Sequence, residues 1–222
     1  MTDTPPTNPP APPPAPLPRP AEPESLGQTG IVFADLAGYS QLVYQVVHDE
    51  PRRNRLALAM QRLLHHDPNQ HPHVTIEGYA GDGFLALVQH DQPAAAAHRF
   101  ALSLHDRFQT SVRSLLLDLG FRADVRLRTA LHCGPVYRLP LDTPDDQPPR
   151  SVVLSDAVVI AARIASSQTC RRFGSALSRS AYKRLLRLGG QPTRDPDEVI
   201  QDRNQYPEPI PVYRLRPGES PA

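Results

Sequence analysis

The sequence predicts an α+β domain in which helices pack on a mostly antiparallel sheet. Apolar runs typical of buried strands alternate with segments of helical spacing in the order β-α-β-β-α-β, with additions. Two of these runs are joined by a glycine-flanked link that is typical of a hairpin. The chain has 222 residues, which is enough for one such domain to bury a core without disulfides.

The first part of the domain predicts one strand followed by two helices. Residues 30–34 form an apolar run typical of a buried strand, and Gly38 allows a tight turn after it. Apolar residues recur with helical spacing over residues 40–47 and 54–64. Pro51 lies between these two segments and is expected to break the helix there.

The next part of the sequence predicts a hairpin. Residues 74–79 and 84–88 are runs of strand length that are joined across residues 80–83. Two glycines in this link flank Asp82, and glycine supplies the positive φ and the close backbone approach that a hairpin tip uses. We therefore expect Asp82 at the tip of the hairpin.

The second half predicts one long helix and several shorter elements. Residues 93–119 carry an apolar stripe at helical spacing, with a proline at a tolerated position in the first turn. An alternating strand over residues 125–131 is expected to turn at Gly134 and Pro135. The remaining predicted elements are a strand over residues 151–154, helices over residues 156–165 and 178–188, and a strand over residues 212–215.

Composition excludes several classes of protein. The net charge is +1 and no basic stripe recurs, so we expect no nucleic-acid partner. No apolar run reaches the roughly 18 residues of a membrane span, so we expect no membrane partner. Cys133 and Cys170 lie too far apart to indicate a disulfide framework, which favours a cytoplasmic location.

Proline content divides the chain into three parts. Residues 1–25 are rich in proline and lack apolar periodicity, so they predict a disordered arm. Residues 26–217 are expected to form the domain. Residues 218–222 are expected to be a loose tail.

Two short stretches each place one aspartate at the end of an apolar run and beside small residues. They read FADLAGYS at residues 33–40 and GYAGDGFLA at residues 78–86, and they contain Asp35 and Asp82. A single aspartate in such a place commonly caps a helix or opens a turn. Taken together, the two stretches indicate a metal site with two carboxylates.

Three further stretches follow along the chain. They read RTALHCGPV at residues 128–136, LSDAVVIAARIASS at residues 154–167 and PIPVYRL at residues 209–215. In this order and with this spacing, all five stretches resemble the catalytic domain of class III nucleotide cyclases. The resemblance covers residues 26–217 and implies a ferredoxin-like class III cyclase homology domain. It also implies a lyase that converts a nucleoside triphosphate into the 3′,5′-cyclic monophosphate and pyrophosphate.

The resemblance implies roles for individual residues. Asp35 and Asp82 match the family's two metal aspartates, and the backbone carbonyl of Leu36 matches a further ligand. Oxygen ligands of this kind imply two Mn²⁺ or Mg²⁺ ions in each active site. Arg163 matches the arginine that stabilises the transition state. Family members are homodimers with shared sites, so we expect Asp35 and Asp82 of one protomer to act with Arg163 of the other.

Four residues are expected to contact the nucleotide, namely Phe33, Tyr39, Gly78 and Val152. In the resemblance, Gly78 and Val152 stand at the positions that read the base in adenylate and guanylate cyclases. Neither offers the polar side chain of the purine-specific enzymes.

Other positions either stand in for these contacts or depart from the family pattern. If the register differs by one residue, Glu77, Tyr79 or Ser155 takes part in reading the base instead. The family's asparagine falls on Val159, and its phosphate-binding lysine falls near Asn204, next to Arg203.

The missing purine contacts favour UTP or CTP as the substrate. In this respect the chain resembles the bacterial pyrimidine cyclases of antiphage signalling, which make cyclic UMP or cyclic CMP. That resemblance implies a second messenger in antiviral defence, with an effector that binds the product as a further candidate partner. Two alternatives stay open. One is an adenylate cyclase that uses ATP, and the other is a nucleotide-binding regulator without turnover, which Val159 favours.

Overall fold

The computed structural model describes residues 22–80, 83–120, 125–141, 150–189, 192, 194–202 and 206–215. Asp82, Arg203, Asn204, residues 1–21 of the predicted arm and the tail at residues 218–222 lie outside the described residues. Among the described residues, no helix has the length and apolar character needed to cross a membrane.

The described residues form eight strands and seven α-helices. The strands are β1 (Glu24–Ala37), β2 (Val74–Ala80), β3 (Gly83–Val88), β4 (Arg126–Leu141), β5 (Arg150–Leu154), β6 (Ser175–Ser178), β7 (Glu198–Asp202) and β8 (Tyr206–Tyr213). The helices are α1 (Tyr39–Val46), α2 (Glu50–Leu64), α3 (Pro93–Arg107), α4 (Arg113–Asp118), α5 (Asp156–Ala165), α6 (Gln168–Phe173) and α7 (Arg179–Leu185), and a π-helical segment, Phe108–Val112, joins α3 to α4.

All eight strands belong to one sheet with the order β2-β3-β1-β4-β6-β8-β7, and β5 pairs with β4 beside this path. Every pairing is antiparallel except that of β4 with β6. β1 lies in the interior of the sheet between β3 and β4, where Phe33 stands opposite Leu85 of β3 and Ala130 of β4. The predicted α+β class with a mostly antiparallel sheet is therefore confirmed.

Successive residues of β1 point to opposite faces of the sheet, as strand geometry requires. Val32, Ala34 and Leu36 lie in the largest apolar cluster, which also contains residues of α1, α2, α3, α4 and α7. Ile31 and Phe33 face the other side, where they pack with residues of α5. Asp35 continues this second set, so it lies on the face that carries α5.

The helices differ from the prediction at two places. Pro51 does not break a helix, because it lies in the first turn of α2, where its missing N–H is not needed. Asp49 caps this helix by accepting the backbone N–H of Arg52 at 3.1 Å. The predicted long helix over residues 93–119 contains the π-helical segment, in which Phe108 and Val112 are buried.

Two strands are longer than predicted. β1 begins at Glu24, so Glu24 and Ser25 of the predicted arm pair with β4 instead. β4 continues through Gly134 and Pro135, where a turn was predicted. Gly134 allows α5 to pack closely against β4 there, since a Cβ on it would lie 2.8 Å from the Cβ of Ala157 in α5.

Three short elements were not predicted, namely α6, β6 and β7. Each has six residues or fewer, which is too short for a clear periodic pattern. β8 begins at Tyr206, six residues before the predicted strand at residue 212. Its first part contains alternating prolines, which normally argue against a strand, so the sequence pattern did not indicate it.

Candidate active site

Asp35 is paired with an arginine of the neighbouring strand. Arg128 stands directly opposite Asp35 in the register of β1 and β4. Its guanidinium donates a hydrogen bond to the Asp35 carboxylate, and the two side chains are only 20% and 22% exposed. Arg128 therefore neutralises Asp35. Arg128 opens one of the five stretches, but its role depends on the register between two distant strands, which the sequence pattern does not show.

The Arg128 guanidinium has a further unsatisfied donor. Its Nε is buried and has no hydrogen-bond partner among the described residues. A buried N–H without an acceptor is unfavourable, so an added acceptor such as a phosphate oxygen would be stabilised beside Arg128.

A close backbone contact places the start of β3 against Asp35. A Cβ on Gly83 would lie 2.7 Å from the carbonyl oxygen of Ala34 and 3.6 Å from the Cβ of Asp35. Only glycine allows β3 to approach β1 this closely. Gly83 directly follows Asp82 in the sequence, although Asp82 itself lies outside the described residues.

Three other predicted site residues lie close to Asp35 in the sequence, and each packs differently. The Leu36 side chain is buried in the main apolar cluster and carries no ligand atom, so the predicted metal contact of this residue concerns its backbone carbonyl. Phe33 is half-buried and packs with the clusters on the α5 face. Tyr39 begins α1 after Gly38, whose φ is 87°, and its ring packs against the main cluster.

Arg163 lies on α5, whose start is fixed by Ser155. The Ser155 hydroxyl accepts the backbone N–H of Ala157 at 3.0 Å and donates to the Pro135 carbonyl at 2.6 Å. Arg163 and Val159 are four residues apart and therefore share a face of the helix. Val159 is 43% exposed, so α5 presents an open face that combines an apolar and a cationic side chain.

The predicted base-reading position Gly78 lies next to a bulge. The pairing of β2 with β3 shifts between Ile76 and Gly78, which makes Glu77 the extra residue. Gly78 is exposed, and a Cβ built on it would meet nothing within 4 Å. Glu77 is bound by Arg138 of β4, which donates a hydrogen bond to its carboxylate. The Glu77–Arg138 ion pair therefore lies beside Gly78. Glu77 is one of the alternative base-reading positions that a one-residue shift of the register would bring in.

Val152 lies on the hairpin that β4 and β5 form. It stands opposite Leu139, while its neighbour Val153 packs against the apolar cluster under α5. Val152 and Leu154 are each 41% exposed, and Tyr137, which stands opposite Leu154, is 45% exposed. The hairpin thus carries an exposed apolar surface.

The donor groups at Asp35 fit a hard divalent cation. A carboxylate and the carbonyl of Leu36 are the oxygen ligands that Mg²⁺ and Mn²⁺ prefer. Burial raises the pKa of the nearby Cys170 thiol to about 12, although Arg128 opposes the shift, so the thiol stays protonated and is a poor ligand. No group of three or more His, Cys, Asp and Glu that could hold a metal occurs within the described part of the chain. Asp82, the second predicted ligand, lies outside the described residues.

The fold resembles that of known nucleotide cyclases. The adenylyl cyclase CyaB from P. aeruginosa matches with a TM-score of 0.66 at 14% identity, over 86% of this chain and 94% of that one. The guanylate cyclase domain of RhGC from Catenaria anguillulae, in complex with GTP, matches with a TM-score of 0.59 at 18% identity, over 86% of this chain and 96% of that one.

A third solved structure carries a different description. It is a class III adenylyl cyclase-like ATP-binding protein from Pseudomonas aeruginosa, with a TM-score of 0.58 at 17% identity, over 74% of this chain and 37% of that one. No protein-family model matches the sequence, and no curated protein matches it. These comparisons give the chain the fold of class III cyclase catalytic domains.

Proposed function

We propose that this protein is a class III nucleotide cyclase that converts a nucleoside triphosphate into the 3′,5′-cyclic monophosphate and pyrophosphate. The observation that carries the proposal is the position of Asp35, a half-buried carboxylate near the carboxyl end of an interior strand in a cyclase-like fold. The contact of Gly83 with Ala34 supports it, because the residue before Gly83 is the second aspartate of the motif.

Asp35, the Leu36 carbonyl and Asp82 would hold two Mg²⁺ or Mn²⁺ ions in each site. When bound, such ions activate the attacking hydroxyl and neutralise the phosphates. Asp35 would then exchange its present partner, Arg128, for a cation. The freed guanidinium could then donate hydrogen bonds to a phosphate oxygen.

The reaction itself is an internal displacement at the α-phosphorus. The ribose 3′-oxygen forms a bond to this phosphorus and loses its proton, while the bond to the bridging oxygen breaks and pyrophosphate leaves. Negative charge develops on the phosphoryl oxygens as this happens. Arg163 carries a fixed positive charge that would stabilise them.

We assign a homodimer in which Asp35 and Asp82 act with Arg163 of the partner subunit. Two surfaces support this arrangement. The hairpin of β4 and β5 exposes Tyr137, Val152 and Leu154, and α5 exposes Val159 beside Arg163. Exposed apolar surfaces of this kind commonly mark protein interfaces.

For the base, we propose that the enzyme prefers UTP or CTP, with Glu77 and Arg138 reading the ring. The exposed backbone at Gly78 and the aliphatic Val152 offer no polar side chain for a purine. The Glu77–Arg138 pair supplies an acceptor beside a set of donors. The edges of all four bases carry both donors and acceptors, so this pair could bind any of them, and the proposed preference for a pyrimidine rests on the missing purine contacts at Gly78 and Val152.

The decisive experiment incubates the protein with each of the four nucleoside triphosphates and Mn²⁺ or Mg²⁺, and identifies products by mass spectrometry. We expect a cyclic monophosphate and pyrophosphate in equal amounts. Asp35→Asn should abolish both, while Asp106→Asn, which changes an exposed carboxylate on α3, should leave the rate unchanged. Absence of a cyclic product from all four substrates with either metal would refute the cyclase assignment.

The same assay tests the base. We expect UTP or CTP to react at least about tenfold faster than ATP or GTP, which corresponds to about 1.4 kcal/mol in the activation free energy. Glu77→Gln should reduce this preference, because it removes the charge that holds Arg138. Faster conversion of ATP or GTP would overturn the pyrimidine assignment and leave the cyclase assignment standing.

A nucleotide-binding regulator without turnover is the second candidate. The neutralised Asp35 and the aliphatic Val159 favour it, and one protein of similar fold is described as ATP-binding. Binding of a triphosphate in calorimetry, with no product even at high enzyme concentration, would support this function over the first.

The cellular role that we propose is production of a second messenger for antiviral defence in the cytoplasm, where nucleoside triphosphates are available. A separate effector would bind the cyclic product. Cells that express the wild-type chain together with its effector should resist phage infection, and cells with Asp35→Asn should not. Equal resistance of the two strains would refute this role.

A further inference from the structure

A cavity that Asp35 does not line opens in the sheet between β4 and β8. β6 lies between these strands but ends at Ser178, while β4 continues to Leu141 and β8 extends back to Tyr206. The two longer strands therefore leave a gap beyond the carboxyl end of β6.

This cavity, which we term the β4–β8 cavity, has a volume of about 670 Å³. Sites for small organic molecules commonly measure about 300–1,000 Å³. Its apolar surface comes from α5 and β8, through Ile160, Pro209, Ile210 and Pro211. An apolar body such as a heterocyclic ring could lie against these side chains.

The rim of the cavity is strongly cationic. α7 and the residues after it contribute Arg179, Lys183, Arg184 and Arg187, against one carboxylate, Glu208. Arg184 also donates to Gln28 at 2.9 Å. A concave surface lined by charges of one sign attracts ligands of the opposite charge. The excess of cations favours a dianionic group such as a phosphate monoester.

Arg187 occupies a backbone position that is unfavourable for it. Its φ is 51°, and it is the non-glycine residue with positive φ within the described part of the chain. It follows the end of α7, where Leu188 donates to the Lys183 carbonyl at 2.9 Å. Glycine is the usual residue at this position of a helix end, because other residues pay about 1–2 kcal/mol in the left-handed region. An arginine here costs stability but adds a cation to the rim.

One wall of the cavity is polar and uncharged. His132 is 8% exposed, and burial lowers its pKa to about 4, although Asp156 opposes the shift. The Ser180 hydroxyl lies 3.4 Å from the Nδ1 of His132 and donates to the Cys133 carbonyl at 2.7 Å. Neutral His132 does not add to the charge, but it can exchange hydrogen bonds with a ligand.

We propose that the β4–β8 cavity binds an organic phosphate of mononucleotide size, with its phosphate on Lys183 and Arg187 and its ring against Ile160. The cationic rim, the apolar wall and the strained arginine support this assignment independently of the cyclase reaction. None of the residues that line the cavity is among those proposed for catalysis.

The test measures binding of UMP, AMP and inorganic phosphate to the full chain by isothermal titration calorimetry. We expect UMP or AMP to bind at least about tenfold more tightly than inorganic phosphate, because only the nucleotides can use the apolar wall. Arg187→Gly should raise the melting temperature by several degrees, since it relieves the left-handed strain, and should weaken nucleotide binding at least about tenfold. A loss of binding in this variant therefore cannot be explained by unfolding.

Two control variants complete the experiment. Arg171→Ala removes an exposed cation of α6 that does not line the cavity, and it should leave binding unchanged. Asp35→Asn should also bind the nucleotides like the wild type. Binding that survives Arg187→Gly but is lost in Asp35→Asn would locate the nucleotide at the catalytic site and overturn the proposal. Equal affinity for inorganic phosphate, or no binding of any probe at millimolar concentration, would overturn it as well.

Discussion

Two glycines near the candidate site have different surroundings and therefore predict different responses to substitution. A Cβ on Gly83 would lie 2.7 Å from the Ala34 carbonyl oxygen, whereas a Cβ on Gly78 would meet nothing within 4 Å. Gly83→Ala should lower the free energy of unfolding by about 1–3 kcal/mol, because a strand must shift, and should also displace Asp35 and reduce turnover.

Gly78→Ala is the matched control for this prediction. It should change the free energy of unfolding by less than about 0.5 kcal/mol, as substitutions without new contacts usually do. Urea denaturation of both variants checks the stability of the pair, and the product assay checks the turnover of Gly83→Ala. Wild-type stability and turnover in Gly83→Ala would show that β3 does not need its close approach to β1.

His132 predicts a dependence of stability on pH. Its pKa is about 4 in the folded protein and 6.5 as the ordinary value, because burial disfavours the charged form. At pH values between these two pKa values, His132 binds a proton in the unfolded chain but not in the folded chain. The stabilisation that comes from His132 is fully present above pH 6.5. The free energy of unfolding should therefore fall by about 3 kcal/mol in total as the pH is lowered from 6.5 to 4.

His132→Gln removes this titrating group and keeps a polar side chain beside Ser180. Urea denaturation of both proteins at several pH values between 7 and 4 measures the effect. The difference in stability between wild type and variant should shrink as the pH falls. A difference that stays constant over this range would show that His132 titrates normally in the folded state.

Among the secondary structure elements, α5 carries Arg163 and depends on its cap. Ser155 accepts the N–H of Ala157 and donates to the Pro135 carbonyl, so it ties the helix start to β4. Ser155→Ala should lower the free energy of unfolding by about 1 kcal/mol, the usual cost of a lost cap. It should also reduce turnover, because the position of Arg163 depends on the helix.

Ser166→Ala tests the opposite end of the same helix. Ser166 follows the last residue of α5, its hydroxyl donates to the Ala162 carbonyl at 3.3 Å, and the residue is exposed. This substitution should change both measurements little. If the two variants behave alike in thermal melting and in the product assay, the cap does not position α5.

At the scale of the whole molecule, the shared site predicts complementation between inactive variants. Asp35→Ala and Arg163→Ala should each be inactive alone. In a mixed dimer, one of the two sites keeps Asp35 from one subunit and Arg163 from the other. Because about half of randomly exchanged dimers are mixed, an equal mixture should recover about one quarter of the wild-type rate.

Native mass spectrometry of subunits with different tags verifies that exchange has occurred. The rate of cyclic nucleotide formation is then measured on the same mixture. If exchanged dimers show no activity, Asp35 and Arg163 do not act across the subunit interface.

Most of the helices and strands that the sequence predicts follow from local periodicity. The α5 bounds, residues 156–165, agree with the prediction, because its apolar spacing and its N-terminal serine are local signals. Asp35 likewise stands near a strand end, as its apolar run indicated. The predicted metal role of Asp35 and Asp82, the role of Arg163 and the nucleotide contacts remain predictions.

Only the tertiary structure decided which distant residues meet. The pairing of Asp35 with Arg128 and of Glu77 with Arg138 depends on strand register and on a bulge, which bring together residues more than sixty positions apart. The continuation of β4 through Gly134 depends on α5 packing against it. The sequence determined which segments could become strands and helices, since that choice depends on neighbouring residues. The partners of each charge and the β4–β8 cavity were decided by the folded chain, since they depend on contacts that no local pattern contains.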